Sequence, residues 1–354
     1  MINRVDQLRE KMKAEGIASF LITSPYNLRY LTGFTGTTGL ALISLEKAYF
    51  ITDFRYTEQA AKQCVGYEVV KNVGPILEVV ADIVETTKLE NLAFEEAYVP
   101  FKQYVDVETL LEVDLVPVSG MVEELREVKD EAEVAIIEKA CNIADQAFSH
   151  ILTYIKPGMT EIQVANELDC HMRSFGASGV SFETIVASGL RSAMPHGVAS
   201  DKVIEEGDLI TIDFGCYYNG YVSDMTRTIA IGEPSDKLKE IYNVVKEAQQ
   251  KVLDVAKPGM TGVELDAVAR DYIASKGYGE AFGHSTGHGI GLEIHEGPNV
   301  SKLAEKAFVP GNVITNEPGI YLPGIGGVRI EDDMLVTENG IKRLTHSEKE
   351  LIIL

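Results

Sequence analysis

Two aspartates in residues 209–228, LITIDFGCYYNGYVSDMTRT, have the spacing of a paired carboxylate site. The pattern predicts a β-hairpin with strands LITIDF and VSDMTRT. A turn at the centre of the stretch would place Asp213 directly opposite Asp224, with Cβ atoms about 5 Å apart. A turn at residues 219–220, the favoured Asn-Gly type, would instead pair Asp213 with Thr226 and leave Asp224 diagonally across the same face. In either register, two close carboxylates repel each other unless a proton or a cation is shared.

An internal repeat extends this pattern beyond the hairpin. The sequence KPGMT occurs at residues 156–160 and again at 257–261, and a helical pattern follows each copy. The period is too long and the copies too few for a solenoid. The repeat instead indicates two similar halves that can face each other around a pseudo-twofold axis.

The repeat gives both aspartates a counterpart. EEGDLITIDFG resembles the later VPGNVITNEPG and aligns Asp213 with Glu317, whereas GYVSD resembles GVRIE and aligns Asp224 with Glu331. The midpoint of the second acidic pair is Gly324, inside the turn-rich sequence PGIGG. The two halves therefore predict four carboxylates in one site. The alternative is that each pair is solvated at the base of a turn and binds no metal.

Four buried carboxylates would carry a charge of about −4, and isolated buried charges are prohibitively costly. Two divalent cations would neutralise that charge almost completely. Carboxylates suit Mn²⁺, and an added imidazole ligand extends the range to Co²⁺ and Zn²⁺. We therefore expect a histidine ligand beside the carboxylates.

Three histidines occur in residues 282–295, FGHSTGHGIGLEIH. They are His284, His288 and His295, and the four glycines of this stretch allow close approach of the backbone. His196, in AMPHG, is a fourth histidine in a glycine-flanked segment. A single histidine is more often a surface or core residue, but the clustering here favours a metal-binding and catalytic site.

The elements that must position these residues form two predicted domains. Residues 1–125 alternate six strand-like segments with helical patterns, which predicts an α/β layer domain with a mixed or parallel sheet. In this part, Asp53 and Arg55 are interpreted as a solvated pair at a strand end. Residues 126–354 form the second domain, and its first long helix is predicted over EELREVKDEAEVAIIEKACNIADQAFSHIL, with Asp130 as a start signal. The fold class is therefore α/β, with α+β character.

Composition narrows the classes of function. The chain has 354 residues, 45% of them hydrophobic, and a net charge of −22, which argues against a nucleic-acid partner. Its four cysteines show no CxxC spacing and are interpreted as reduced thiols. The N-terminal pattern is a charged amphipathic helix, and no apolar run reaches the roughly 20 residues that span a bilayer. We therefore expect a cytoplasmic protein without a membrane partner.

Three motifs in order, DFG…YVSDMTRT, GHSTGHGIGLEIHEGP and EPGIYLPGIGGVRIED, resemble those of the metal-dependent Xaa-Pro peptidases. These are aminopeptidase P and prolidase, which share the pita-bread fold with methionine aminopeptidase and creatinase. The resemblance covers essentially the whole chain. It implies a creatinase-like N-terminal α/β domain before a pseudo-twofold pita-bread catalytic domain. It also implies a homodimer that hydrolyses the Xaa-Pro bond of proline-containing peptides.

The resemblance also implies roles for individual residues at matching positions. The implied metal ligands are Asp213, Asp224, His288, Glu317 and Glu331, which would hold two divalent ions, foremost Mn²⁺, with Co²⁺ or Zn²⁺ as alternatives. The implied catalytic residues are His196 and His295 beside the scissile bond and Glu317 as a proton shuttle. The implied substrate-side residues are His284 and Arg329, and Arg329 could also orient a carboxylate ligand. Tyr221 could orient a ligand in the same way or serve in packing.

Two departures from the family pattern bear on function. Asn316 precedes Glu317 where an apolar residue is expected, and EGPNV follows His295 without an arginine. Some prolidases place an arginine in this vicinity, where it can bind the carboxylate of a dipeptide. Its absence favours an aminopeptidase that acts on longer Xaa-Pro N-termini, with dipeptidase activity close behind.

Two other functions are compatible with the same fold. A creatinase-like C–N hydrolase or a non-catalytic binding protein would be expected to lose metal ligands or helper histidines. All five ligand positions and both helper histidines are present in this sequence.

Overall fold

The computed structural model describes residues 3–354, which divide into a unit that ends at Arg126 and a unit that spans Glu127–Leu354. Residues 1 and 2, which the sequence assigns to the N-terminal domain, lie outside the described residues. Within the described chain, the helices are too short or too polar to cross a membrane. The four cysteines are free thiols.

The N-terminal unit contains one mixed sheet flanked by helices. Its helices are α1 (Arg4–Ala14), α2 (Pro25–Thr32), α3 (Thr57–Gln63), α4 (Ile76–Thr87), α5 (Phe101–Leu110) and α6 (Glu123–Arg126). Its strands are β1 (Ser19–Ile22), β2 (Leu40–Ser44), β3 (Ala48–Thr52), β4 (Glu68–Lys71), β5 (Asn91–Glu95) and β6 (Asp114–Val118). The strand order is β4-β3-β2-β1-β5-β6, with antiparallel pairs at β1–β2 and β2–β3 and parallel pairs elsewhere. The predicted mixed α/β sheet is confirmed.

Asp53 and Arg55 form the predicted exposed pair at the end of β3. The Arg55 Nη2 atom lies 2.6 Å from Asp53 Oδ2. The hydrogen bonds from Arg55 lower the pKa of Asp53. The contact ends a strand and needs no further function to account for it.

The second unit is built from helix pairs and short sheets. Its helices are α7 (Glu131–Tyr154), α8 (Glu161–Ser174), α9 (Asp236–Val255) and α10 (Gly262–Ser275), with 3₁₀ turns at Gly189–Ala193 and Gly279–Ala281. The strands of its first half are β7 (Gly179–Val180), β8 (Ile185–Ser188), β9 (Leu209–Phe214), β10 (Cys216–Tyr218), β11 (Tyr221–Val222) and β12 (Met225–Ala230). Those of its second half are β13 (Gly287–Gly289), β14 (Glu296–Val300), β15 (Val313–Asn316), β16 (Gly319–Leu322), β17 (Gly326–Arg329), β18 (Asp332–Thr337) and β19 (Gly340–Arg343).

These strands form sheets that repeat in outline between the halves. The orders are β11-β10-β7 and β12-β9-β8 in the first half, and β14-β13-β15-β18-β19 and β16-β17 in the second. One hydrophobic core packs α7 and α8 against β8, β9 and β12. A second core packs α9 and α10 against β15, β17 and β18. Each half thus buries the apolar face of one helix pair against its own sheet.

The two KPGMT copies adopt the same local structure. Thr160 and Thr261, the last residues of the copies, are the N-caps of α8 and α10, and each forms a capping box with the residue three positions later. The glycine of each copy donates its N–H to a later strand-like segment, Gly158 to Ile204 O at 2.9 Å and Gly259 to Phe308 O at 2.8 Å. The predicted helices after both copies are confirmed.

The long helix predicted at the start of the second domain begins later than expected. The chain leaves the helical path after Arg126, and α7 starts at Glu131 with Asp130 as its N-cap. Asp130 accepts the Glu133 N–H and Glu133 caps Asp130 in return, which confirms the predicted start signal. At the interruption, the Lys129 N–H donates to Gly311 O at 2.9 Å, a residue far away in sequence, instead of continuing a helix.

The opening hairpin uses the Asn-Gly turn. Tyr218 pairs with Tyr221, and Asp213 pairs with Thr226, so direct opposition of Asp213 and Asp224 is wrong. Residues 219 and 220 have φ values of 46° and 82°, as a type I′ turn requires.

The second acidic pair is directly opposed. Gly319 pairs with Arg329 on one side of it, and Asn316 pairs with Asp332 on the other. Both ladders have the same register, so Glu317 lies opposite Glu331. This agrees with the predicted midpoint of the pair at Gly324.

The capping box of α10 generates a stability prediction. Thr261→Ala removes the acceptor of the Glu264 N–H, which lies 3.2 Å from Thr261 Oγ1. We expect the free energy of unfolding to fall by about 1 kcal/mol in urea titrations. Thr261→Ser keeps the hydroxyl and should retain most of the stability. Equal stability of Thr261→Ala and the unmodified protein would contradict a stabilising role for this cap.

Candidate metal centre

All nine residues that the sequence assigned to the site line one cavity of about 540 Å³ in the second unit. They are Asp213, Asp224, His288, Glu317, Glu331, His196, His284, His295 and Arg329. The remaining wall is largely apolar and includes Phe182, Ile185, Pro195, Val198 and Ile294. The structure therefore brings together residues that are more than 130 positions apart in the chain.

A compact group of ligand atoms lies inside this cavity. Ligand atoms of Asp224, His288 and Glu331 are all within 4.8 Å of one another, and the three residues are buried. His288 Nε2 lies 3.6 Å from Asp224 Oδ2 and 3.4 Å from Glu317 Oε1. Carboxylate oxygens and one imidazole nitrogen are a donor set that suits divalent transition metals.

His288 has the tautomer that a metal ligand needs. Its Nδ1 lies 3.1 Å from the Gly289 carbonyl oxygen, which only accepts, so the proton is on Nδ1. The Nε2 lone pair consequently faces the carboxylates. Burial, followed by the charge of His295, lowers the pKa of His288 to about 4, so the imidazole is neutral at pH 7.

The carboxylates are held in an unfavourable electrostatic environment. Burial, followed by repulsion from Glu331 and Asp213, raises the pKa of Asp224 well above its usual range. Burial and the charge of Glu317 do the same to Glu331. Burial also raises the pKa of Glu317 to about 8, against the opposing charge of Arg329. Such raised values in one cavity are typical of a functional site.

Unpartnered oxygens provide a test of whether these residues fit a cation. Asp213 Oδ1 and Glu331 Oε1 are buried and have no hydrogen-bond partner among the described residues. Buried polar atoms are normally satisfied, and an unmet carboxylate oxygen is costly. Both atoms belong to predicted ligands, so the donor set fits a divalent cation.

The second oxygen of Asp213 is fixed by Arg329. Arg329 Nη2 donates to Asp213 Oδ2 at 2.5 Å, and both side chains are largely buried. The guanidinium thereby leaves Oδ1 as the free ligand atom of Asp213. This contact agrees with the expectation that Arg329 orients a carboxylate ligand.

Tyr321 is a site residue that the sequence reasoning missed. Arg329 Nη1 donates to the Tyr321 hydroxyl at 2.8 Å, and that hydroxyl lies 2.8 Å from His284 Nε2. His284 Nδ1 lies 2.8 Å from the Ser285 carbonyl oxygen and must donate to it, so Nε2 accepts from Tyr321. Burial, followed by the charge of Arg329, lowers the pKa of His284 to about 4. Period-2 alternation from Glu317 through Gly319 to Tyr321 is the pattern that could have identified this residue.

Two threonine hydroxyls hold the glutamate ligands. Thr226 Oγ1 donates to Glu331 Oε2 at 2.6 Å and accepts from Arg329 Nε at 3.1 Å. Thr315 Oγ1 donates to Glu317 Oε1 at 3.3 Å and accepts the His288 N–H at 3.1 Å. These contacts restrict the rotamers of the two longest ligands, as partners of metal ligands commonly do.

His196 and His295 lie at the more exposed part of the cavity. The His295 ring packs edge-on against His288, with ring centroids 4.4 Å apart. Partial burial, followed by the charge of His196, lowers the pKa of His295. Both side chains are exposed, in contrast to the buried His288.

The glycines of the histidine stretch permit the close packing that the sequence predicted. A Cβ on Gly287 would come within 2.1 Å of Thr315 O, and one on Gly289 within 2.3 Å of Gly297 O. Strand β13 can lie between β14 and β15 only because these positions lack side chains.

Tyr221 and Asn316, two residues noted in the sequence, have side chains that contact helices and do not line the cavity. The Tyr221 hydroxyl donates to Glu133 Oε1 at 2.7 Å and so ties the hairpin to α7. Asn316 is buried, and its Nδ2 donates to Gln249 O at 2.9 Å on α9, so it faces away from the cavity that Glu317 lines. The departure at Asn316 thus alters packing behind the ligand strand.

Comparison with known proteins gives matches over both units. The model for metallopeptidase family M24 matches residues 135–338, and that for the creatinase/prolidase N-terminal domain matches residues 4–128. The solved Xaa-Pro dipeptidase from Bacillus anthracis is 54% identical, with a TM-score of 0.98 and 99% of each chain covered. The solved X-Pro aminopeptidase from Thermotoga maritima is 43% identical, with a TM-score of 0.92, covering 98% of this chain and 100% of that one. The Xaa-Pro dipeptidase of Pyrococcus furiosus is 42% identical over 354 residues, 99% of this chain and 100% of that protein.

The raised carboxyl pKa values predict that metal binding releases protons. Burial raises the pKa values of Asp224, Glu317 and Glu331, so without a cation these acids hold protons to a higher pH than free carboxyl groups do. A divalent cation replaces those protons, so its affinity rises as pH increases toward the Glu317 pKa of about 8. Calorimetric titration with Mn²⁺ at pH 7 in two buffers of different ionisation enthalpy measures the released protons.

A matched pair of variants makes that measurement specific. Glu331→Gln removes one titrating ligand and should reduce the number of protons released. Asp254→Asn, at an exposed position on α9, should leave it unchanged. Metal binding without proton release would show that the carboxylates are already ionised before the cation arrives.

Proposed function

The chain belongs to metallopeptidase family M24, and from this premise we propose that it is an exopeptidase dependent on two divalent cations. In this proposal it hydrolyses the bond between an N-terminal residue and a following proline. Membership implies the use of a divalent metal, and the pita-bread fold predicted from the sequence is confirmed by the solved relatives. The number of ions and the choice of Mn²⁺, over Co²⁺ or Zn²⁺, are parts of the proposal.

One observation carries this proposal above the others. Five proposed ligands and four proposed substrate-side residues, drawn from both halves of the repeat, line a single cavity. The proposed ligands are Asp213, Asp224, His288, Glu317 and Glu331. A protein that had kept the fold without the chemistry would have no reason to retain buried, mutually repelling carboxylates.

The residues of the cavity divide the chemistry among them. Bound divalent cations supply Lewis acidity and a water of lowered pKa near neutrality. His295 and His196 donate hydrogen bonds to the carbonyl oxygen as it gains negative charge. Glu317 carries a proton toward the prolyl nitrogen, which belongs to a tertiary amide and has no N–H of its own. Arg329 keeps Asp213 oriented throughout.

The positively charged side chains of the cavity are relevant to the length of peptide that it can bind. Among the described residues that line it, Arg329 is the single arginine, lysine is absent, and the Arg329 guanidinium already contacts Asp213 and Tyr321. A dipeptide places its C-terminal carboxylate in the site, and that carboxylate would meet no uncommitted side-chain cation. We therefore propose that Xaa-Pro dipeptides are cleaved, as the names of two relatives indicate, and that peptides extending beyond proline are better substrates.

The remaining features of the proposal rest on the sequence. A homodimer follows from the family resemblance, and a cytoplasmic location follows from the reduced cysteines. The boundary between residues 125 and 126 is proposed to separate the creatinase-like domain from the catalytic one. Light scattering coupled to size-exclusion chromatography tests the dimer directly.

Replacement of a ligand tests the metallopeptidase assignment. Asp213→Asn removes the charge of one ligand and its ion pair with Arg329, so Mn²⁺-dependent cleavage of an Xaa-Pro substrate should fall at least about 100-fold. Release of the N-terminal residue, followed by chromatography, measures the rate. Asp254→Asn is the matched control and should keep full activity. Undiminished cleavage by Asp213→Asn would end the assignment.

Replacement of Asn299 tests the proposed substrate length. Asn299 lines the cavity four residues after His295 and is exposed. Asn299→Arg adds a cation, so kcat/KM for Xaa-Pro should rise relative to kcat/KM for Xaa-Pro-Yaa, by about tenfold for one charge-assisted hydrogen bond. Asn299→Gln controls for side-chain length without charge. A strong preference of the unmodified protein for the dipeptide would refute the proposal on length while leaving the peptidase assignment intact.

A further inference from the structure

Glu161 is a fully buried acid that does not line the cavity. It is the first residue of α8, directly after the first KPGMT copy. Its side chain nevertheless accepts five hydrogen bonds, all from residues 188–200. A buried carboxylate with that many donors has a specific structural purpose.

The two oxygens of Glu161 hold opposite ends of one segment. Oε1 accepts from the Ser188 N–H at 2.7 Å and from Ser188 Oγ at 2.8 Å. Oε2 accepts from the Ser200 N–H at 3.1 Å and from Ser200 Oγ at 2.6 Å. Residues 188–200 are thus closed into a loop across a single carboxylate.

Arg191 adds a third attachment inside the same segment. Its Nη1 donates to Glu161 Oε2, and its Nη2 donates to Val198 O at 2.8 Å. The guanidinium therefore links the carboxylate to the backbone two residues beyond His196. The segment is held at its beginning, near its tip and at its end.

The His196 side chain has few contacts that restrain it. It is exposed within the cavity, and its imidazole has no hydrogen-bond partner among the described residues. Its place beside the ligand group is consequently set by the backbone of residues 188–200. Glu161 and Arg191 hold that backbone at Ser188, Val198 and Ser200. Two further contacts support it, since the Gly327 N–H donates to Ser192 Oγ at 2.8 Å and Val198 forms a bridge with Ile185.

We propose that Glu161, together with Arg191, is a positioning residue that fixes His196 at the substrate. The inference rests on the proposed function for the role of His196. Glu161 acts from behind the cavity wall, through two serines and an arginine, and touches neither the ligands nor the substrate.

The second half of the unit contains a comparable arrangement. Asp266 on α10 accepts from the Thr286 N–H at 3.0 Å and from both Nε and Nη2 of Arg270. Arg270 in turn donates to the carbonyl oxygens of Phe282 and His284 at 3.0 and 2.8 Å. Each helix after a KPGMT copy thus carries a buried acid that, with an arginine, holds a histidine segment.

The charge of Glu161 is essential to this arrangement. Glutamine has nearly the same shape but offers one acceptor oxygen in place of two, and its amide nitrogen cannot accept. In Glu161→Gln, the N–H of either Ser188 or Ser200 must lose its acceptor. One end of the segment is then released.

Hydrogen exchange tests the positioning directly and does not depend on activity. In Glu161→Gln, amides of residues 189–200 should exchange about tenfold faster or more, whereas those of α9 should not change. Glu133→Gln is the matched control, since Glu133 is also buried and lies in a capping box on α7. It should leave residues 189–200 unaffected.

Arg191→Lys provides a second variant should Glu161→Gln fail to fold. It keeps the positive charge but loses the fork that joins Glu161 to Val198, so residues 194–200 should still exchange faster. Unchanged exchange of this segment in either folded variant would overturn the proposal.

A double-mutant cycle with His196→Ala shows whether Glu161 acts through His196. Glu161→Gln should lower kcat/KM for an Xaa-Pro substrate about tenfold while the metal content stays constant, because the misplaced imidazole loses its contact. In the His196→Ala background the same change should have no effect. Equal losses in both backgrounds would overturn the positioning role. Full activity of His196→Ala would instead remove His196 from the proposed function, and hydrogen exchange would still decide whether Glu161 fixes the segment.

Discussion

Repulsion among buried carboxylates is the constraint on which the catalytic unit depends. Asp213, Asp224, Glu317 and Glu331 share one cavity, and Arg329 is the single side-chain cation among the described residues that line it. Two like charges about 4 Å apart repel each other by about 4 kcal/mol at an effective dielectric constant near 20, so a fully ionised cluster without cations is costly. The acids must therefore be held together by the fold until cations neutralise them. Burial, followed by repulsion from neighbouring acids, raises the pKa values of Asp224 and Glu331, and burial raises the pKa of Glu317 to about 8.

Cross-connections between the two halves provide that restraint. The Asp224 N–H donates to Asp333 Oδ2 at 2.9 Å, and the Glu331 N–H donates to Thr226 O at 3.0 Å. Thr228 Oγ1 donates to Arg329 O at 2.9 Å. Each ligand-bearing hairpin is thus fixed by backbone contacts with the other half. The aspartates come from the first half, whereas the imidazole and both glutamates come from the second, so neither half holds a complete site.

Features of the fold and the site could be predicted from the sequence where the contacts behind them are local in the chain or follow the repeat. The register of the hairpin could be predicted from local sequence, namely the Asn-Gly turn and the alternation of β9. The internal repeat then predicted the glutamate pair. Motif resemblance then named the nine predicted site residues that line the cavity. Tyr321 was accessible by the same alternation and was overlooked.

Other features have no local pattern. The end of the helical path before Asp130 depends on Lys129 donating to Gly311, and the Glu161 contacts join residues 27 and 39 positions apart. Hydrogen bonds between residues so far apart in the chain follow no period, so a single sequence does not reveal them. The proposed link between Glu161, at the start of α8, and His196 could be inferred only from such contacts. Burial also lowers the pKa values of His284 and His288 to about 4, so neither imidazole adds a positive charge to the site near neutral pH.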